Sequence, residues 1–213
     1  MYQLIFVIFL LVSSIFIPVQ GQSKYETEME KALTSMNEAK TSDDFEKVAQ
    51  HFDRIAKVEK ENWLPLYYGM FIRAINAFGM EKDPAIKKVD ELEGMYSQLE
   101  TLNPNQSELL TLRALFRTVK VAKDPMTYGM SLSGAIIKDY EDALKLDPNN
   151  PRAMYLMAQY NMGGAEFWGK DPKDYCPQIE KAKTLFPAEK PNNFEPNWGE
   201  EQVDEILNST CKK

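Results

Sequence analysis

Histidine is nearly missing from this chain: His51 is the single one among 213 residues. One imidazole cannot build a zinc site with neighbouring ligands, and the two cysteines lie far from it in sequence. Nor is there a credible Ser-His-Asp or Cys-His arrangement when the same histidine must serve every one of them. His51 precedes the inward-facing Phe52, so its expected place is the edge of the core or the surface. Glycine-rich phosphate loops are missing too, Gly163-Gly164 being too short for one. No strongly basic run occurs and the formal charge is −7, which argues against a nucleic-acid partner. Period-2 alternation and Asn-Gly or Asp-Gly hairpin dipeptides are lacking, so no strand is expected. The carboxylate pairs Asp43-Asp44 and Glu200-Glu201 fall in helix first turns, where the helix dipole accounts for them. These gaps point to a protein that is not an enzyme and carries no metal and no cofactor.

What is present begins with residues 4–19, LIFVIFLLVSSIFIPV, an apolar run without charge. It is short of the roughly 20 residues a bilayer core takes. It therefore reads as a secretory signal over 1–21, with cleavage after Gly21 and export to the periplasm or beyond. The leading Met1-Tyr2-Gln3 lacks the usual Lys or Arg, so an uncleaved anchor is the alternative, and the membrane is reached in no other way. The remainder, 22–213, suits one domain. In an oxidising compartment an isolated cysteine pair tends to be bridged, which nominates Cys176 and Cys211; two separate buried thiols are the other possibility. A bridge would close a loop of about 36 residues and add about 3–4 kcal/mol in the chain-entropy model.

Nine helical segments can be marked by apolar spacing. Tyr25, Met29, Leu33 and Met36 stripe the first, over 24–40. Ser42 is the expected cap of the second. The third, 64–80, is apolar on nearly all sides and should lie centrally. Asp83-Pro84 opens the fourth and Pro104 ends it. The fifth, from Ser107 to about Ala122, is expected to be capped by Gln106 or Ser107, the sixth starts near Ser131 after a turn-rich insertion at 124–129, and the seventh spans Pro151 to about Met162, where Gly163-Gly164 interrupts. Asp171-Pro172 opens the eighth, and Asn197 with Glu200 forms a capping box for the last.

First helices of successive pairs begin near residues 24, 64, 107 and 151, a period of about 40 to 44. A lone helix pair cannot bury its apolar face, so the pairs must stack, four of them with a final capping helix. The joint at Leu146-Asp-Pro-Asn-Asn-Pro-Arg152 resembles that of a tetratricopeptide repeat. Tyr140, Ala143 and Pro148 match the end of one unit, and Met154, Met157 and Ala158 the start of the next. A second joint at Leu99-Glu-Thr-Leu-Asn-Pro-Asn105 matches less fully through Tyr96, Leu102, Leu110 and Ala114. The C-terminal half also resembles secreted tetratricopeptide-like proteins of the Bacteroidota, through the joint at Asp147, the segment to Phe167 and Gly169, Cys176-Pro177, and Pro196-Asn-Trp-Gly199. The resemblance implies an all-α, exported helical-hairpin array, and it carries no activity with it.

In such an array the first helix of each pair lines a concave face that takes a partner. By the motif register Arg152, Tyr155 and Gln159 point there, with Thr111 of the fifth helix and Tyr68 and Ile72 of the third. Arginine can grip a carboxylate and tyrosine adds amphipathic area, so a protein, a peptide or an envelope component is the expected partner. A structural subunit of an envelope complex, or an enzyme with an unrecognised carboxylate site, are the alternatives. Trp63, Trp168 and Trp198 sit at helix joints and are expected to fill gaps between units. Trp168 beside Phe167 is the best placed to act instead as a ligand platform.

Overall fold

The computed structural model describes residues 23–189 and 193–212. The expected leader and its cleavage point lie outside the described residues. Among those residues the chain is all-helical, with nine α-helices, two 3-10 turns and no strand. The α-helices are α1 (Lys24–Glu38), α2 (Ser42–Val58), α3 (Trp63–Gly79), α4 (Lys82–Thr101), α5 (Gln106–Lys123), α6 (Pro125–Leu146), α7 (Pro151–Phe167), α8 (Cys176–Leu185) and α9 (Glu200–Asn208). No helix among the described residues is long and apolar enough to cross a membrane.

Short polar side chains start most of these helices. Ser23 and Glu26 form a reciprocal capping box on α1, and Thr41 with Asp44 forms another on α2. Thr41 takes the role expected of Ser42, which lies inside the helix. Asn62, Asn105, Asp124 and Asn150 accept backbone N–H groups at the starts of α3, α5, α6 and α7. Proline follows directly in α6 and α7, where its missing donor costs nothing.

Several expected boundaries move, among them the starts of α4, at Lys82 after Glu81 rather than at Asp83, and of α5, capped by Asn105. α6 begins at Pro125 rather than Ser131, because Asp124 caps it and the supposed insertion is its first turn. α7 runs through Gly163-Gly164 to Phe167, so the glycines do not break it. The last helix starts without a capping box: Gly199, at φ 110°, stands at its cap. The eighth segment opens as a 3-10 turn, Pro172–Tyr175, before α8.

Consecutive helices pack as neighbours along the chain, while α3 touches α5 and α5 touches α7. The array thus has an inner row, α3, α5 and α7, as pairing of helices demands. α3 is buried on almost every side, as its apolar sequence requires. Ion pairs staple the outer row to the inner one: Arg73 grips Asp53 on α2 with two hydrogen bonds, of 3.0 and 2.6 Å. Arg113 does the same to Asp139 on α6, and Arg117 to Glu93 on α4. At the end of the chain Cys176 and Cys211 are bridged, with Cα atoms 5.6 Å apart. The bridge holds the start of α8 to the stretch just past α9.

Candidate functional site

Two surfaces of the array concern binding: the inner row, and the far end of the α6–α7 pair.

The inner row does not face solvent. Residues 193–199 cross it and fill it. Tyr68 donates to the Phe194 carbonyl at 3.1 Å, and Tyr25 meets the Phe194 ring edge-on. Trp198 stacks on Phe71 at 4.1 Å between centroids and donates from Nε1 to the Tyr67 hydroxyl. Tyr155 meets the same indole edge-on. Gly199 lies so close to Tyr155 that an added Cβ would stand 2.7 Å from its Cε1.

Below this plug lies a buried charge network. Arg152 donates from Nε to Glu108 at 2.9 Å and from its two terminal nitrogens to Glu189. Glu108 also accepts from Tyr67 and from the Asn150 side-chain amide, and Asn150 donates to Ser107 as well. Glu108 is 3% exposed and Arg152 4%. Burial pushes the Glu108 carboxyl above its ordinary range, against the pull of Arg152. Burial likewise drives the Tyr67 phenol well up. A paired, fully hydrogen-bonded network of this kind orders a core, and losing one member strands the rest.

The expectation of a ligand-facing row is therefore corrected. Arg152, Tyr155, Thr111, Tyr68 and Ile72 are all buried, and Gln159 alone of the six is exposed. Arg152 and Tyr155 do leave the joint toward the inner row, but the chain's own segment occupies that place. Thr111 spends its hydroxyl on the Ser107 carbonyl of its own helix. Nothing in the motif spacing announces a plug that arrives from more than 120 residues away, as the Tyr68–Phe194 contact does. What opens to solvent beside the network is a polar cavity of about 410 Å³. Glu108, Asp147, Glu189 and Glu195 line it against the single guanidinium of Arg152. His51 is not near it: its Nε2 lies 2.9 Å from Glu28 on α1.

The tryptophans divide. Trp63 and Trp198 pack at joints as expected, Trp63 edge-on to Tyr67. Trp168 does not, being 75% exposed with Phe167 edge-on beside it at 5.1 Å.

That pair marks the second surface. α6 and α7 run antiparallel, and the Tyr160 hydroxyl meets Ser133 at 2.6 Å. On the joint side of this contact the facing stripes are buried, with Tyr140 on α6 and Ala153 and Leu156 on α7. On the other side the same stripes continue at helical spacing, through Gly129, Met130 and Met126 on α6 and through Gly163, Gly164 and Phe167 on α7. Eight residues of α6 and seven of α7, about 10–12 Å, lie beyond the contact. There the packing stops. Met130 is 99% exposed and Met126 82%, and Cβ atoms added at Gly129, Gly163 or Gly164 would meet nothing within 4 Å. Two faces that close the core at one end are left exposed at the other, as an apolar strip along both helices.

The glycines have no local reason to be there. None of the three has a positive φ and none is pressed by a neighbour. In helix interiors each costs about 1 kcal/mol against alanine. Scattered apolar side chains are ordinary on a surface, whereas a contiguous apolar cluster signals contact with something else. Sequence inspection singled out Phe167 and Trp168. It missed Met126 and Met130, because both precede Ser131, where the sixth helix was expected to begin; extending the α6 stripe back from Tyr140 in steps of three and four finds both.

No family model matches the chain, and no curated relative matches it. Among solved structures it is similar to the HusA haemophore from Porphyromonas gingivalis, at 28% identity and a TM-score of 0.77. The likeness covers 91% of this chain and 96% of that one. The two chains share the same all-helical frame.

Proposed function

We propose that this chain is an exported, non-enzymatic protein that binds haem or a closely related tetrapyrrole. The observation that carries the reading is the likeness to a haemophore over nearly the whole of both chains. The Cys176–Cys211 bridge supports export, since such bridges persist in oxidising compartments. The uncharged apolar run at 4–19 fits a signal segment ahead of a single tetratricopeptide-like domain over 22–213. A tetrapyrrole replaces the protein or peptide partner expected of the concave face, because that face is filled from within.

The test is direct. Haemin titrated into the purified mature chain should give a saturable absorbance change and quench tryptophan emission. Absorbance that follows haemin in buffer alone at every ratio would overturn the reading.

A further inference from the structure

We infer that the tetrapyrrole sits against the exposed apolar ends of α6 and α7, in the cleft that their unpacked stripes would form around it, an assignment that rests on the reading just given. A haem-type ring is flat and apolar over both faces and carries carboxylates on one edge. It needs an apolar slot, side chains of little height beneath it, and cations at the rim. The cleft meets each requirement. Met126 and Met130 on α6 and Phe167 on α7 offer exposed apolar side chains on stripes that face each other nearer the joint. Gly163 and Gly164 leave the space between them clear. Thioether and aromatic side chains give soft, polarisable contact to a conjugated ring.

The charge distribution selects the same end of the molecule. Lys123 ends α5 three residues before Met126, and Lys170, with Asp171 next to it, follows Trp168 after the close of α7. Glu166, exposed on α7, is the nearby opposing charge in that helix. The polar cavity at Arg152 offers less, because Glu108 and Glu189 already share that guanidinium and leave it little to give an anionic edge. The inner row offers aromatic faces, but Phe194 and Trp198 cover them.

The cleft residues are exposed, so they can be changed without touching the core. The experiment measures haemin affinity of the full mature chain, by absorbance and tryptophan quenching, for four proteins. In the G163L/G164L double variant leucine fills the slot while favouring the helix, and circular dichroism checks the fold. M130S/F167S removes an exposed apolar side chain from each helix. Val58→Ser alters an equally exposed apolar side chain on α2 and serves as the control. The unaltered chain is the reference.

Affinity should fall at least tenfold in both cleft variants and stay within twofold for Val58→Ser. In a separate arm, Trp168→Phe should remove most of the quenching while the absorbance change persists. Should the reference bind haemin and the cleft variants bind it equally well, the cleft assignment is wrong and the tetrapyrrole reading stands. A reference that does not bind at all overturns both.

Discussion

The two ends of α7 present the same helix in opposite circumstances. Its first half carries Arg152 and Tyr155 into a closed interior, bonded to Glu108 and Glu189 and roofed by Trp198. Its second half carries Gly163, Gly164 and Phe167 out along an unpartnered face. Residue types suited to binding occupy the closed half, and residues with little or no side chain occupy the open one. A repeat motif identifies which face a side chain takes; it does not say whether that face is free. In this array the face held ready for a partner is satisfied by the chain itself, and the vacancy is displaced to the exposed apolar ends of α6 and α7.

The comparison breaks most sharply at Glu108. Glu108→Ala would leave the Arg152 Nε, the Asn150 amide and the Tyr67 hydroxyl without their acceptor inside the core. Breaking such a buried pair costs about 3–5 kcal/mol. Met130→Ser at the open end should change stability by no more than about 0.5 kcal/mol. Urea denaturation of the two variants measures both. Similar losses would mean that the open face is part of the core after all.

Next in size is the bridge that anchors the plug's far end. Replacing Cys176 and Cys211 by serine releases a loop of 35 residues' separation. The chain-entropy model gives a loss of about 3–4 kcal/mol. The same drop in thermal midpoint should appear when the unaltered chain is reduced, and reductant should leave the serine variant unmoved. An unaltered chain indifferent to reductant would mean that the bridge does not contribute.

Glycine offers a paired version of the same contrast. At Gly199 the backbone is left-handed and an added Cβ strikes Tyr155, so Gly199→Ala should cost about 1–3 kcal/mol. At Gly164 the backbone is helical and the space is empty, so Gly164→Ala should stabilise the chain by about 0.5–1 kcal/mol. Opposite signs from one substitution type, read by thermal unfolding, would separate a glycine the fold requires from one it merely tolerates. A destabilising Gly164→Ala would show hidden packing in the cleft.

How much of this was legible beforehand depends on the distance over which each contact acts. The helices follow from local spacing and caps, so their number, pairing and all-α class were readable from Ser23, Asn62, Asn105 and Asn150 and the stripes after them. The bridge was readable from export and the count of two cysteines. The plug was not, because Phe194 and Trp198 act on α1, α3 and α7 across most of the chain and carry no local periodicity. The cleft was half visible: Trp168 and Phe167 drew notice as an unpacked pair. Gly163-Gly164 was instead read as a helix end. Glycine weakens a helix by about 1 kcal/mol, which ten flanking intrahelical hydrogen-bonded residues outweigh.

The smallest expected effect contrasts two carboxylates of opposite habit. Glu28 lies on α1 in solvent, hydrogen-bonded by Lys31 and then by His51, and its pKa is lowered to about 2. A lowered carboxylate contributes stability that is fully present above its unfolded value near 4.5 and is lost as pH falls toward 2. Glu108, raised by burial, has the other sign: what it contributes is present at low pH and fades as pH rises through its folded value. Glu28→Gln should therefore lower the thermal midpoint slightly at pH 6 and hardly at all at pH 2. Its curve should converge on that of the unaltered chain as acid protonates Glu28 there. A deficit of equal size at both pH values would show that the Glu28 cluster works through shape rather than charge. It would leave Glu108 as the carboxylate to which any remaining pH dependence near the network is traced.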